Sequence, residues 1–125
     1  MHFAGTTPSG HILQFDSAPA DAVSVGPTPI ETVMLAAATC SAMDVVAILK
    51  KRRKEITHFE VEVDAERKDE HPKVLKNLTI KYRIQGPDIT LEEVERAVWL
   101  SQEKYCSVLH MLKPVVNVTY SVHVN

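Results

Sequence analysis

The sequence predicts an α+β domain in which antiparallel sheets pack around a long central hydrophobic helix. Three observations support this prediction. An apolar stretch from Val33 to Leu49 follows a helix-start signal and spans several helical turns. Two segments that alternate apolar and polar residues, 59–66 and 78–85, come next with the period of half-buried strands. A second capped helix and a last alternating segment, 115–124, complete an element order typical of α+β domains.

Length and composition indicate one ordinary globular domain, residues 1–125. The formal net charge of −2 gives no electrostatic reason to expect nucleic acid or an anionic membrane as a partner. No secretory leader is visible, and Thr39, Ser41 and Asp44 interrupt the apolar stretch, so we expect a core helix and not a membrane span. Two widely separated cysteines do not form a disulfide framework, so we expect a cytoplasmic protein with reduced thiols.

The N-terminal part is rich in turn residues and carries little regular structure. Residues 11–16 (HILQFD) are predicted to form one strand, with a partner around His2 to Ala4. Residues 17–27 are predicted to form a loop, with a short strand at Ala22 to Val25 as an option.

A capping box predicts where the long helix begins. Thr28 is suited to the N-cap, Pro29 to the first helical position, and Glu31 to bonding back to the Thr28 amide. The helix is expected to reach about Arg53, where the basic run 50–54 complements the helix dipole. It is apolar on nearly every face and therefore needs cover on every side. Because one small sheet and one further helix are not enough, we expect a homodimer.

The central strands are predicted to pair as an antiparallel hairpin. The turn signal Asp69 to Pro72 separates them, and the acidic outer face of the first would meet the basic outer face of the second. A second capping box at Thr90 and Glu93 predicts a helix to about Lys104. A short further helix is expected over Tyr105 to Leu112, before the last strand.

Cys40 and Cys106 are the residues that could carry redox chemistry. Composition and spacing alone favour two inert cysteines that pack as small hydrophobic groups. The alternative is a pair that cycles between dithiol and disulfide, if the long helix packs against the segment after Lys104. A metal site built from Cys40, Cys106 and His110 is a further option, without the paired spacing of zinc motifs. No G-x-S-x-G motif and no glycine-rich phosphate loop is present.

Two motifs resemble the OsmC/Ohr family, that is, osmotically inducible protein C and the organic hydroperoxide resistance proteins. The first begins at Pro29 and Glu31, carries Cys40 in an alanine-rich helix, and continues as DVVAILKKRR over residues 44–53. The second is EKYCSV over residues 103–108, followed by a Met-Leu pair. The similarity extends over nearly the whole chain.

The resemblance implies an intertwined homodimer with its active sites at the subunit interface. It implies a peroxidase that acts in oxidative stress defence and reduces organic hydroperoxides or hydrogen peroxide without any metal or cofactor. Cys40 would be the peroxidatic cysteine and Cys106 the resolving one, with an external dithiol or lipoylated protein as reductant. The resemblance also implies a catalytic role for Glu31.

The chain departs from the well-known hydroperoxide resistance proteins at two points. Those proteins carry a Glu directly after the Pro, where this chain has Ile30 and places Glu31 one position later. They also hold the peroxidatic thiolate with an N-terminal Arg, whereas no Arg precedes Arg52 here. These departures favour the alternative of a non-catalytic dimer that binds a small apolar or thiol ligand, while the two cysteine motifs favour the enzyme.

Overall fold

The computed structural model describes all 125 residues, and its elements confirm the predicted α+β class. The chain divides into two compact units, Met1–Val33 and Met34–Asn125. In chain order the elements are β1 (His2–Thr6), β2 (Ile12–Asp16), α1 (Pro29–Lys51), β3 (His58–Arg67), β4 (Leu75–Gln85), α2 (Leu91–Leu100), a π-helical turn (Ser101–Tyr105), α3 (Ser107–Leu112) and β5 (Asn117–Val124).

The N-terminal unit contains an antiparallel ribbon of β1 and β2, as predicted. At the end of β2 the buried Asp16 carboxylate accepts hydrogen bonds from the Val25 amide (3.0 Å) and the N-terminal amine of Met1 (3.2 Å). The hydrogen bond from the Val25 amide and, to a smaller extent, the hydrogen bond from the N-terminal amine hold the pKa of Asp16 below its ordinary value. The optional strand at Ala22 to Val25 is absent, since a carboxylate takes the Val25 N–H that a strand would use for pairing.

The predicted capping box at the start of α1 is confirmed. The Thr28 amide donates to Glu31 Oε1 (2.9 Å), and the Glu31 amide donates to Thr28 Oγ1 (3.3 Å). The helix ends at Lys51, slightly before the expected Arg53. Arg53 has a φ of 60°. The Arg53 amide donates a hydrogen bond to Lys50 O, and the Lys54 amide donates one to Leu49 O. This is the pattern of a Schellman motif, which stops the helix.

Within one chain, α1 is buried along a stripe and not on all faces. The stripe consists of small and branched side chains at helical spacing: Ala37, Ala38, Ser41, Val45 and Leu49. Elsewhere on the helix Leu35 is 53% and Met43 72% exposed, so one chain alone does not cover every face of this apolar helix. By length and composition alone α1 could also cross a membrane, a criterion that the core helix of a soluble protein meets equally well.

The larger unit contains a three-stranded sheet in the order β3-β4-β5. The predicted hairpin is confirmed, with Glu60 opposite Arg83 and Glu62 opposite Lys81, and an Arg83–Glu62 ion pair at 3.8 Å. β5 runs parallel to β4, so this sheet is mixed, whereas the sequence predicted only antiparallel pairing. The helices between β4 and β5 return the chain to the starting end of β4, which a parallel connection requires.

The second helix ends earlier than predicted. The capping box of Thr90 and Glu93 forms, but α2 stops at Leu100 instead of continuing to about Lys104. Residues 101–105 form a wider π-helical turn, which the Cys106 amide closes by bonding to Ser101 O at 2.8 Å. The last helix consequently starts at Ser107, after Cys106 and not before it.

Candidate active site

The fold brings the two cysteines together in the larger unit. Cys40 lies on α1, and Cys106 lies at the junction between the π-helical turn and α3. Both are free thiols; Cys40 is half-buried and Cys106 is fully buried. Cys106 Sγ lies 4.0 Å from Ala37 O on the same helix as Cys40, Cys40 Sγ lies 3.8 Å from the hydroxyl of the residue after Cys106, and each thiol shifts the pKa of the other. The structure thus meets the packing condition that the dithiol hypothesis set for the long helix.

The surroundings of Cys40 favour its thiolate. Burial raises the pKa of the Cys40 thiol, but hydrogen bonds from the Val108 amide, the Cys106 thiol and the Ser107 hydroxyl outweigh burial, and the pKa falls below its ordinary value. Ser107 Oγ is 3.8 Å from Cys40 Sγ. The negative charge of Asp44 acts in the opposite direction. Cys40 is therefore both partly accessible and more acidic than an ordinary thiol, which are the marks of a reactive cysteine.

Cys106 has the opposite character. Burial raises the pKa of its thiol to about 12, and a hydrogen bond from the Leu109 amide offsets only part of that effect. The interaction with Cys40 and the charge of Asp44 raise the pKa further. Cys106 is therefore protonated at neutral pH. Two adjacent thiols whose environments push their pKa values apart are suited to different roles.

A buried polar network borders the cysteines, and no motif in the sequence predicted it. Gln102 Nε2 donates to Tyr82 OH (2.9 Å), Tyr82 OH lies 2.6 Å from Ser41 Oγ, and Ser41 Oγ lies 2.8 Å from Ser101 Oγ. Ser101 Oγ donates to Asp44 Oδ2 at 2.9 Å. Because the amide donates at one end and the carboxylate accepts at the other, the three hydroxyls donate in one direction. The available signal was the polar residue directly after Cys40 in an apolar helix.

Asp44 is a carboxylate on an otherwise apolar helix, and the hydrogen bond from Ser101 gives it the partner that a partly buried charge needs. It also lines a groove of about 460 Å³ with Ala47, Ile48, Leu100 and Tyr105 on its apolar walls. Lys51 and Arg52 contribute positive charge to the same groove. The groove is large enough for a small organic molecule.

The remaining candidates have structural roles in this chain. The ring nitrogens of His110 face two carbonyl oxygens, Cys106 O at 2.9 Å and Glu103 O at 3.0 Å. No group of three or more His, Cys, Asp or Glu side chains is arranged to hold a metal ion, so the predicted metal alternative has no geometric support. Glu31 lies in the N-terminal unit, where hydrogen bonds from the Thr28 amide and then its hydroxyl lower the pKa of the carboxyl.

Comparison with known proteins identifies relatives over almost the full length of the chain. A model of the OsmC-like protein family matches residues 20–121. Protein YhfA of Escherichia coli K12 is 41% identical over 124 residues, covering 99% of this chain and 90% of YhfA. A hypothetical protein from Aquifex aeolicus is 29% identical with a TM-score of 0.74, covering 100% of this chain and 96% of that one.

The same fold occurs in a protein named for hydroperoxide resistance. The organic hydroperoxide resistance protein OhrB of Bacillus subtilis superposes with a TM-score of 0.61 at 20% identity. The superposition covers 98% of this chain and 96% of OhrB.

Proposed function

Because the chain belongs to the OsmC family, we propose that it is a cysteine-based peroxidase that reduces organic hydroperoxides or hydrogen peroxide in oxidative stress defence. One observation carries the proposal: a half-buried Cys40 with a lowered thiol pKa packs against the segment that carries a second, fully buried thiol, Cys106. A nucleophilic thiolate beside a resolving thiol is the minimum machinery for reducing a peroxide bond without a cofactor.

The reaction proceeds in three balanced steps. The Cys40 thiolate attacks one peroxide oxygen, the O–O bond breaks, and the departing alkoxide or hydroxide takes up a proton to leave as alcohol or water. Cys40 is then a sulfenic acid. The Cys106 sulfur attacks the Cys40 sulfur, so that an S–S bond forms and the sulfenic hydroxyl leaves with the thiol proton as water. An external dithiol or lipoylated protein reduces this disulfide and regenerates both thiols.

The groove beside Asp44, one helical turn from Cys40, has mostly apolar walls that would suit an organic hydroperoxide. We propose that the whole chain, residues 1–125, works as one OsmC-like domain. Two widely separated cysteines do not form a disulfide framework of the kind found in secreted domains, so we place the protein in the cytoplasm.

A homodimer is part of the proposal. Large apolar side chains that a partner subunit could cover are exposed in both units: Phe3, Ile12, Leu35, Met43, Trp99 and Met111. A two-stranded ribbon such as β1–β2 is also marginal without cover. Light scattering coupled to size-exclusion chromatography is expected to give twice the chain mass, and a monomer at micromolar concentration would contradict this part.

A catalytic role for Glu31 stays a prediction. Glu31→Gln keeps an oxygen that can accept the capping bond from Thr28 and removes only the charge. A loss of peroxidase activity at unchanged thermal stability would support the role, and full activity would assign Glu31 to capping alone.

The alternative function is a non-catalytic dimer that binds a small apolar or thiol ligand. The specific observations in its favour are Ile30 where the hydroperoxide resistance proteins carry Glu, and the lack of any Arg before Arg52. Under this alternative the groove would bind a ligand, and peroxide would oxidise the thiols only slowly.

Peroxide treatment followed by intact mass measurement tests the proposed function. The wild type is expected to lose the mass of two hydrogens rapidly as the disulfide forms. Cys106→Ser is expected to gain oxygen atoms at Cys40, because its sulfenic acid has no resolving partner. Cys40→Ser is expected to stay unmodified over the same time. Equal and slow oxidation of both thiols in the wild type would refute the peroxidase proposal and favour the ligand-binding alternative.

A further inference from the structure

The Ser107 hydroxyl is placed against Cys40 from a distant part of the chain. Ser107 Oγ lies 3.8 Å from Cys40 Sγ, although the two residues are 67 positions apart. We propose that Ser107 is a positioning residue whose hydroxyl donates a hydrogen bond to the Cys40 thiolate and keeps it ionised, in place of a cationic side chain. This inference rests on the proposed function in that Cys40 is the thiolate that reacts.

The hydroxyl has no competing structural task. Ser107 is the first residue of α3, but that helix has no side-chain cap, and Ser107 Oγ makes no other hydrogen bond within the chain. The Ser107 side chain is exposed, so it contributes little to packing. Its hydrogen bond with Cys40 is therefore its one specific interaction.

The backbone around Ser107 fixes its position. The preceding residue, Cys106, donates its amide to Ser101 O (2.8 Å) and accepts from the His110 amide on its carbonyl (3.0 Å). The π-helical turn displaces the start of α3 to Ser107, directly beside Cys40. If residues 101–112 formed one regular helix, Ser107 would lie in its interior and not at a helix start.

The charges around Cys40 explain why a neutral donor matters. The charged group that acts on Cys40 is Asp44, and its negative sign disfavours the thiolate. The donors that favour the thiolate are neutral: the Val108 amide, the Cys106 thiol and the Ser107 hydroxyl. A hydrogen bond to an ionised acceptor is shorter and stronger than one to a neutral acceptor, so the 3.8 Å contact is expected to tighten when Cys40 ionises. Ser107 is the one side-chain donor that can be removed without removing a redox group.

The test is the pH dependence of iodoacetamide alkylation, followed at Cys40 by peptide mass analysis in the full-length chain. Ser107→Ala is expected to move the alkylation midpoint to higher pH and to slow the reaction at pH 7 about three- to tenfold, since one pKa unit is a factor of ten in thiolate. The plateau rate at high pH is expected to stay the same or rise slightly, because access to the sulfur is unaltered and a less acidic thiolate is the stronger nucleophile. Ser107→Thr, which keeps the hydroxyl, is expected to restore the wild-type profile.

Thr39→Ala is the matched control. Thr39 is adjacent to Cys40, but its hydroxyl donates to Leu35 O (2.8 Å) within the same helix and not to the sulfur. Its alkylation profile is expected to match that of the wild type.

An unchanged midpoint in Ser107→Ala would overturn the inference, as would a shift of the same size in Thr39→Ala. Alkylation does not require peroxide, so the outcome is independent of the proposed activity. A shifted midpoint in a chain that fails to reduce peroxide would support the role of Ser107 and refute the peroxidase.

Discussion

Tyr82 lies at the centre of the buried polar network, and removing its hydroxyl measures what the network contributes to stability. The Tyr82 ring is fully buried, and its hydroxyl links Gln102 Nε2 (2.9 Å) to Ser41 Oγ (2.6 Å). Burial raises the pKa of Tyr82, so the hydroxyl is a neutral donor and acceptor. Tyr82→Phe keeps the ring and deletes only this link.

The magnitude follows from the partners that are left behind. Gln102 is buried, and its amide would lose its acceptor, at a cost of about 1–3 kcal/mol. Ser41 would lose one bond, worth about 0.5–1.5 kcal/mol, but would keep its bond to Ser101. We therefore expect Tyr82→Phe to lower the free energy of unfolding by about 1.5–4.5 kcal/mol. For a domain of this size, the melting temperature should fall by about 6–15 °C.

The assay is equilibrium unfolding in guanidinium chloride, followed by the fluorescence of Trp99, the single tryptophan. All variants are compared at one protein concentration, because association makes apparent stability concentration-dependent. Tyr120→Phe is the matched control. The Tyr120 ring packs edge-on against the Tyr82 ring, with the ring centroids 6.3 Å apart, but the Tyr120 hydroxyl makes no hydrogen bond within the chain. If Tyr82→Phe destabilises no more than this control, the network does not stabilise the fold and the reasoning is refuted.

Three further predictions concern charge and protonation. Asp44→Asn keeps an oxygen that can accept the hydrogen bond from Ser101, but it removes a negative charge that raises the pKa of both thiols. Alkylation of Cys40 should therefore become faster near neutral pH, and an unchanged rate would contradict this. Cys106→Ala should raise the pKa of Cys40, because it removes a hydrogen-bond donor, whereas Cys106→Ser keeps a donor and should leave this pKa unchanged. The pH profile of Cys40 alkylation distinguishes the two outcomes. Lys54 Nζ lies 3.1 Å from Glu93 Oε1 and lowers the pKa of the Glu93 carboxyl. The ion pair therefore stabilises the fold at pH values above the pKa that Glu93 has in the unfolded chain. This stabilisation is lost as the pH falls through the pKa of Glu93 in the folded chain. Glu93→Gln should therefore be less stable than the wild type at pH 7 but equal to it at strongly acidic pH, and a difference independent of pH would argue against the ion pair.

Features that depend on local hydrogen bonds could be predicted from the sequence. The capping boxes at Thr28 and Thr90 involve residues three positions apart, so they are visible without any tertiary information. The alternating strands β3 and β4 and their charged outer faces follow from a period of two.

Features that depend on distant contacts could not be predicted. The direction of β5 is set by how the helices between β4 and β5 pack, which no local pattern encodes. The π-helical turn over 101–105 is part of a segment in which Ser101 and Gln102 bond to Ser41 and Tyr82 on other elements. The network that borders the site was invisible in the sequence for the same reason.

The two thiols of the proposed site are complementary because one depends on the protonation of the other. Burial keeps Cys106 protonated, and only a protonated thiol can donate the hydrogen bond that helps to lower the pKa of Cys40. The same burial that makes Cys106 a poor first nucleophile therefore makes Cys40 a better one. Once Cys40 carries an oxygen, that thiolate is gone, and Cys106 is the one other thiol of the chain that can attack it. The order of reaction in the proposed cycle thus follows from depth of burial, and a guanidinium is not required to establish it.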